Sequence, residues 1–179
     1  MKNFMKMTIF VFMKESRYKK INIKNRKILF IVFIILISIC IDQIAKQIII
    51  KNIFNSSIEI IRGTLNFTYV ENTGGAYGIG SNNILMFITI NIIIIGILMK
   101  FVISKRDEIS KTLLIAISLI IAGGIGNLID RIFRGYVVDF IDINPMFKYP
   151  VFNVADIFVV TGCIVIVLNL IHSTIKSKN

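Results

Sequence analysis

Residues 28–50 read ILFIVFIILISICIDQIAKQIII, and the first fourteen of them carry no charge. A bilayer core about 30 Å thick takes about 20 helical residues to cross. The uncharged part stops short of that at Asp42, so the span must run on through the polar residues and carry the carboxylate toward the far interface. Three more runs of suitable length follow, at about residues 83–101, 112–132 and 153–172. The pattern predicts an all-α membrane protein with four transmembrane helices.

The composition agrees. Of the 179 residues, 55% are hydrophobic and 17% charged, with a mean hydropathy of +0.79, far from an average soluble domain. One domain fits this length, because four spans use most of it. The formal charge of +11 raises a nucleic-acid partner, but its placement argues against one. Of the 21 Lys and Arg, nine fall in residues 1–27, and Lys100, Lys105, Arg106, Lys111, Lys176 and Lys178 flank the apolar runs. Basic clusters mark the cytoplasmic ends of spans. Both termini and the loop SKRDEISK (104–111) are therefore expected on the cytoplasmic side, which leaves residues 51–82 and 133–152 outside. Residues 1–27 hold one short apolar patch after Lys6 and no small-residue cleavage site, so they read as a basic cytoplasmic tail at the membrane surface and not as a signal peptide. Residues 28–172 form the four-span domain, and 173–179 a cytoplasmic C-terminal tail.

The outer segments hold the unusual chemistry. IEIIRGTLNFTYV (58–70) has β-branched and aromatic residues in partial alternation, ENTGGAYGIGSNN (71–83) supplies turns, and GYVVDFIDINP (135–145) places Val137, Asp139 and Ile141 on one face if extended. A small extracytoplasmic β-strand platform is expected there. Pro145 and Pro150 favour a loop before the fourth span.

A carboxylate at mid-membrane is costly, so it should lie near an interface, face a partner, or act. Asp42, Asp130 and Asp156 fall toward the outer ends of their spans, with Asp139 in the last outer loop. For Asp156 a local explanation exists: Asn153 can cap the fourth helix, with Asp156 at its third position complementing the dipole. GNLID (126–130) repeats the spacing, but there the helix is ending; Asp130 with Arg131 reads as a charge cluster. Asp139 precedes Asp156 by 17 residues, and the loop between can fold back to join them. Two facing carboxyls cannot easily both ionise; they share a proton and can activate water while protonating a leaving group.

Other chemistries find less support. The one histidine, His172, sits at the other end of its helix, which disfavours a Ser-His-Asp or Cys-His site. Cys40 and Cys163 stand in apolar runs without ligand partners and read as small buried hydrophobes. Asp42 and Lys46, four apart, read as an intrahelical ion pair. NTGGAYG lacks the Gly-Lys-Ser/Thr of a P-loop. A proton-coupled transporter and a non-catalytic scaffold stay open on these residues alone, although a transporter would place its carboxylates at mid-depth and show internal repeats.

Five stretches in order, DQIAK (42–46), NTGGAYG (72–78), GGIGNLIDR (123–131), VVDFID (137–142) and FNVAD (152–156), together resemble the lipoprotein signal peptidases (signal peptidase II). The resemblance covers about residues 28–172. It implies a polytopic aspartic endopeptidase of the bacterial cytoplasmic membrane, cutting a prolipoprotein just before its diacylglyceryl-modified cysteine, with the active site near the outer face. On this resemblance Asp139 and Asp156 are the catalytic pair, and Asp42, Asn72, Gly74, Asn127, Asp130, Arg131 and Asn153 are supporting or substrate-binding. The three asparagines would supply neutral hydrogen bonds around the pair. No metal or organic cofactor is implied, and the expected partners are the lipidated precursor and membrane lipid, with the enzyme a monomer. Gly75, Tyr77 and Ile157 depart from the commoner residues of the family pattern.

Overall fold

The computed structural model describes residues 2–75, 79–80, 83–144 and 146–176, with side chains described from Arg26 onward. The surface-lying reading of residues 1–27, and the parts of other readings that fall on Tyr77, Gly78, Pro145 and residues 177–179, lie outside the described side chains or residues. The elements run α1 (Lys2–Ile53), β1 (Ser57–Ile61), β2 (Leu65–Asn72), α2 (Ile84–Lys105), α3 (Lys111–Phe133), β3 (Val137–Asp142) and α4 (Val154–Lys176). Among the described residues, four segments are long and apolar enough to cross a membrane: Arg26–Ile53, Ile84–Lys105, Lys111–Phe133 and Val154–Lys176. They match the four expected runs and extend them by a few residues.

Local signals set the helix starts. Asn83 accepts from Met86 N at 3.3 Å to begin α2, and Ser110 accepts from Leu113 N at 3.2 Å to begin α3. One stripe of α1 faces inward: Ile31, Ile35, Ser38, Asp42, Lys46, Ile49 and Ile53 are buried at three- and four-residue spacing, the helical repeat. The middle of that stripe is polar. Below it, Ile31 and Ile35 pack with Val102, Leu114, Ile117 and Ile121; beyond it, Ile49 and Ile53 pack with Tyr69, Val138 and Phe140. A polar layer is thus held between two apolar clusters.

Helix α3 packs against each of the other three helices. Its glycines allow close approach where a side chain could not fit. A Cβ on Gly126 would lie 2.6 Å from Asp42 Oδ2, and one on Gly123 would run into the carbonyl oxygen of Ala155 at the start of α4.

The strands pair antiparallel in the order β1-β2-β3. Gly63, with φ +66°, turns the β1–β2 hairpin. Strand β3 is buried from Val137 to Phe140 on both faces, which is why its sequence alternates imperfectly. β1 follows α1 and β3 follows α3, so the sheet covers one end of the bundle. The opposite end gathers the basic groups: Lys27 pairs with Asp107 at 3.5 Å and donates to Arg106 O at 3.1 Å.

The segment after β3 returns on itself. Phe152 forms an antiparallel bridge with Ile141, its oxygen accepting from Phe140 N and Ile141 N at 3.0 and 2.7 Å. That bridge sets the first turn of α4 beside β3. Gly123→Ala should therefore destabilise the fold by about 1–3 kcal/mol, because the added methyl meets backbone and not a flexible side chain. A lowered Tm in detergent checks this.

Candidate active site

Helix α4 opens with a reciprocal pair of hydrogen bonds. Asp156 N donates to Asn153 Oδ1 at 3.0 Å, and Asn153 N donates to Asp156 Oδ2 at 3.0 Å. This is a capping box built from Asn and Asp, as the local reading of FNVAD expected. The cap leaves the other polar atoms free. Asn153 Nδ2 donates to Asp139 Oδ1 at 2.6 Å and to Asn127 Oδ1 at 3.0 Å. One asparagine therefore ties β3, α3 and α4 together and bridges the two carboxyls.

Asp139 and Asp156 face one cavity of ≈ 250 Å³, lined also by Asn72, Asn127, Arg131 and Val160. Each carboxyl receives two N–H donors. Asp139 Oδ2 accepts from Asn72 Nδ2 at 2.8 Å, opposite the Asn153 bond on Oδ1. Asp156 Oδ1 accepts from Asn127 Nδ2 at 2.8 Å, opposite the Asn153 backbone bond. The donors are all neutral, so they orient the carboxyls without adding charge. Asp139, only 3% exposed, is raised from 3.8 to about 7, first by burial and then by the neighbouring Asp156, against the opposing pull of Asn72, Asn153 and Lys46.

The other two carboxylates have a different occupation. Asp42 and Asp130 are buried, and both bind Lys46 at 2.9 Å. The i,i+4 pair read from the sequence is present, but Asp130 pairs with Lys46 and Arg134, where the sequence suggested Arg131. Asp130 also accepts from Val138 N at 3.2 Å and Asp42 from Ala155 N at 2.9 Å. These two aspartates hold the starts of β3 and α4 in place. Gln43 Nε2 reaches Gly126 O at 3.2 Å and Asp130 Oδ1 at 3.3 Å.

Arg131 points instead into the cavity. Its Nη2 donates to Gly74 O at 3.0 Å, its guanidinium carbon lies 5.1 Å from the centre of the Phe87 ring, and its buried Nε has no hydrogen-bond partner among the described residues. Asn72 Oδ1 accepts from Gly74 N at 2.9 Å and fixes the turn after β2. A Cβ on Gly75 or on Gly80 would come to 3.2 Å from the same Phe87 ring.

The structure thus brings Asn72, Gly74, Asn127, Arg131, Asp139 and Asp156 to one cavity, with Asn153 buried against both carboxyls and Asp42 and Asp130 set behind. Sequence reasoning missed Gln43, Phe87 and Arg134. The Asp130–Arg134 spacing was a readable signal for the last; nothing local marks Phe87.

A family model described as signal peptidase (SPase) II matches residues 34–172. The lipoprotein signal peptidase of Clostridium novyi (strain NT) is 41% identical over 146 residues, 79% of this chain and 97% of that protein. The lipoprotein signal peptidase of Staphylococcus aureus is 40% identical over 154 residues, 85% of this chain and 91% of that protein. Two solved structures of bacterial membrane enzymes are similar. One has a TM-score of 0.74 at 38% identity and covers 81% of this chain and 89% of its own; the other has a TM-score of 0.70 at 39% identity and covers 79% and 92%.

The elevated Asp139 predicts how stability depends on pH. Its folded value lies above its unfolded one, so as pH rises through 3.8 the unfolded chain ionises while the folded chain keeps the proton, and stability falls until about 7. Asp139→Asn should remove that decline. Tm followed across this range for both proteins checks it.

Proposed function

Because this chain belongs to the signal peptidase II family, the membrane aspartic endopeptidases that remove signal peptides from prolipoproteins, we propose that Asp139 and Asp156 are its catalytic dyad. The observation that carries this is Asn153, which bonds both carboxyls at the wall of one cavity. An ionised carboxyl of the pair takes a proton from water as the water attacks the scissile carbonyl. The protonated partner polarises that carbonyl, and a proton then passes to the leaving amine. The enzyme cuts just before the diacylglyceryl-modified cysteine of its precursor.

The surroundings support this reading. Arg131 lines the cavity and holds the Gly74 carbonyl, and Gly74 and Gly75 let an extended peptide come close to the backbone. Beside the cavity, Ile143, Ile157, Val160 and Thr161 line a second, mostly apolar groove of ≈ 290 Å³ that also reaches Asp156. It suits acyl chains that arrive from the surrounding lipid.

The basic end of the bundle sets the orientation by the positive-inside rule, with both termini cytoplasmic in a bacterial cytoplasmic membrane, so the sheet and the dyad lie at the outer face. A single chain supplies every group the mechanism uses, which favours a monomer, and no step calls for a cofactor.

Asp139→Asn and Asp156→Asn should each fold and each lose at least about 1,000-fold in turnover of a diacylglyceryl prolipoprotein. Cleavage in detergent or vesicles measures it, and full turnover in either well-folded variant would sink the dyad. The same precursor without its lipid should resist the parent enzyme.

A further inference from the structure

Lys46 lies one turn beyond Asp42 on the buried stripe of α1 and is itself wholly buried. An ammonium has three N–H donors and no acceptor. Its three partners are Asp42 Oδ2, Asp130 Oδ2 and Asn127 Oδ1, each at 2.9 Å. The carboxylates answer its charge, and with Arg134 on Asp130 the group sums to zero. The third contact has a separate consequence.

Only an acceptor can face an ammonium. The Asn127 amide is therefore held with its oxygen toward Lys46 and its NH2 toward Asp156 Oδ1, 2.8 Å away. The same oxygen takes an N–H from Asn153 Nδ2, and the other hydrogen of the Asn153 NH2 group goes to Asp139 Oδ1. An amide has nearly the same shape either way round. During catalysis the dyad exchanges protons, and a protonated carboxyl could donate to an amide oxygen and turn the amide over. The buried cation removes that alternative.

We propose that Lys46 is a positioning residue for the reaction: it fixes the amide polarity of Asn127, beside an Asn153 amide already held by its cap on Asp156 N, so that Asn127 keeps its N–H aimed at Asp156 whichever carboxyl holds the proton. The inference rests on the dyad reading above. Charged groups face the parts from every side. Asp139 meets Asp156 from α4, Lys46 from α1 and Arg131 from α3, with the amides of Asn72 and Asn153 in contact. Lys46 meets Asp42 on its own helix and Asp130, with its Arg134, from α3. Both the Asn153 bond and the Lys46 charge oppose the rise of Asp139, so losing Lys46 should let Asp139 hold its proton to higher pH.

The test replaces the ion pair by a neutral equivalent, Lys46→Met with Asp42→Asn, leaving no unpaired charge in the bundle. Parent and double variant are each compared with their own Asp139→Asn derivative. The first readout needs no substrate: the pH dependence of Tm, taken as the difference within each pair. The decline belonging to Asp139 should shift upward by about one pH unit in the double variant. The second is cleavage of a diacylglyceryl prolipoprotein, where kcat should fall about 100-fold with KM within about twofold. A difference curve that stays in place overturns the proposal, as does unchanged turnover. A double variant that fails to fold also overturns it, since Lys46 would then be a scaffold charge alone. Full turnover in the Asp139→Asn derivative of the parent would instead remove the dyad reading, and the substrate-free curve still decides the role of Lys46.

Discussion

The Lys46 ammonium is wholly buried, and satisfying it organises the sheet end of the molecule. Asp42 and Asp130 close on it from α1 and α3. Each carboxylate then has a second oxygen or lone pair to satisfy, and each finds a backbone N–H: Asp42 that of Ala155 in the first turn of α4, Asp130 that of Val138 in β3. A buried pair of charges adds little net stability over an apolar equivalent, but removing one partner costs about 3–5 kcal/mol. The cluster therefore acts as a registration device. It admits few arrangements of α1, α3, β3 and α4 other than the one that leaves no charge unpaired.

Close packing makes this geometry reachable. Gly123 and Gly126 let α3 approach the Ala155 backbone and the Asp42 carboxylate to distances that any side chain would prevent. Small residues at helix contacts are how membrane helices come together, because lipid offers no hydrophobic drive for it. The same approach carries Asn127 to Asp156.

Around the proposed dyad of Asp139 and Asp156, structural and chemical duties fall on the same atoms. Asn153 caps α4 with its oxygen and backbone N–H, while its amide NH2 joins Asp139 to Asn127. Asp156 satisfies the N-terminus of its helix and still faces the cavity. The capping explanation of FNVAD and the catalytic one are thus compatible, since a carboxyl has more lone pairs than the cap requires. The carboxylates gather at the sheet end of the bundle, where the cavity lies beside a mostly apolar groove that shares Asp156 and Val160 with it.

The sequence by itself determined the four spans, the end of the bundle that carries the basic residues, the strand-forming segments between the spans and the cap of α4. Each is a local property: a bilayer needs about 20 apolar residues in a row, and a cap needs one polar side chain three positions before the N–H it serves. It also supplied the list of polar residues through the resemblance of five short stretches. Only the tertiary structure decided which carboxyls meet. Asp42 and Asp130 went to Lys46, Asp139 and Asp156 to the cavity, through contacts such as Ala155 N to Asp42 across 113 residues and Lys46 to Asn127 across 81. Phe87 likewise looks like any lipid-facing aromatic until the chain places Arg131 under its ring. Pairings at such separations depend on how closely the helices pack and on what each buried charge must satisfy, and neither is written in the periodicity of any one segment.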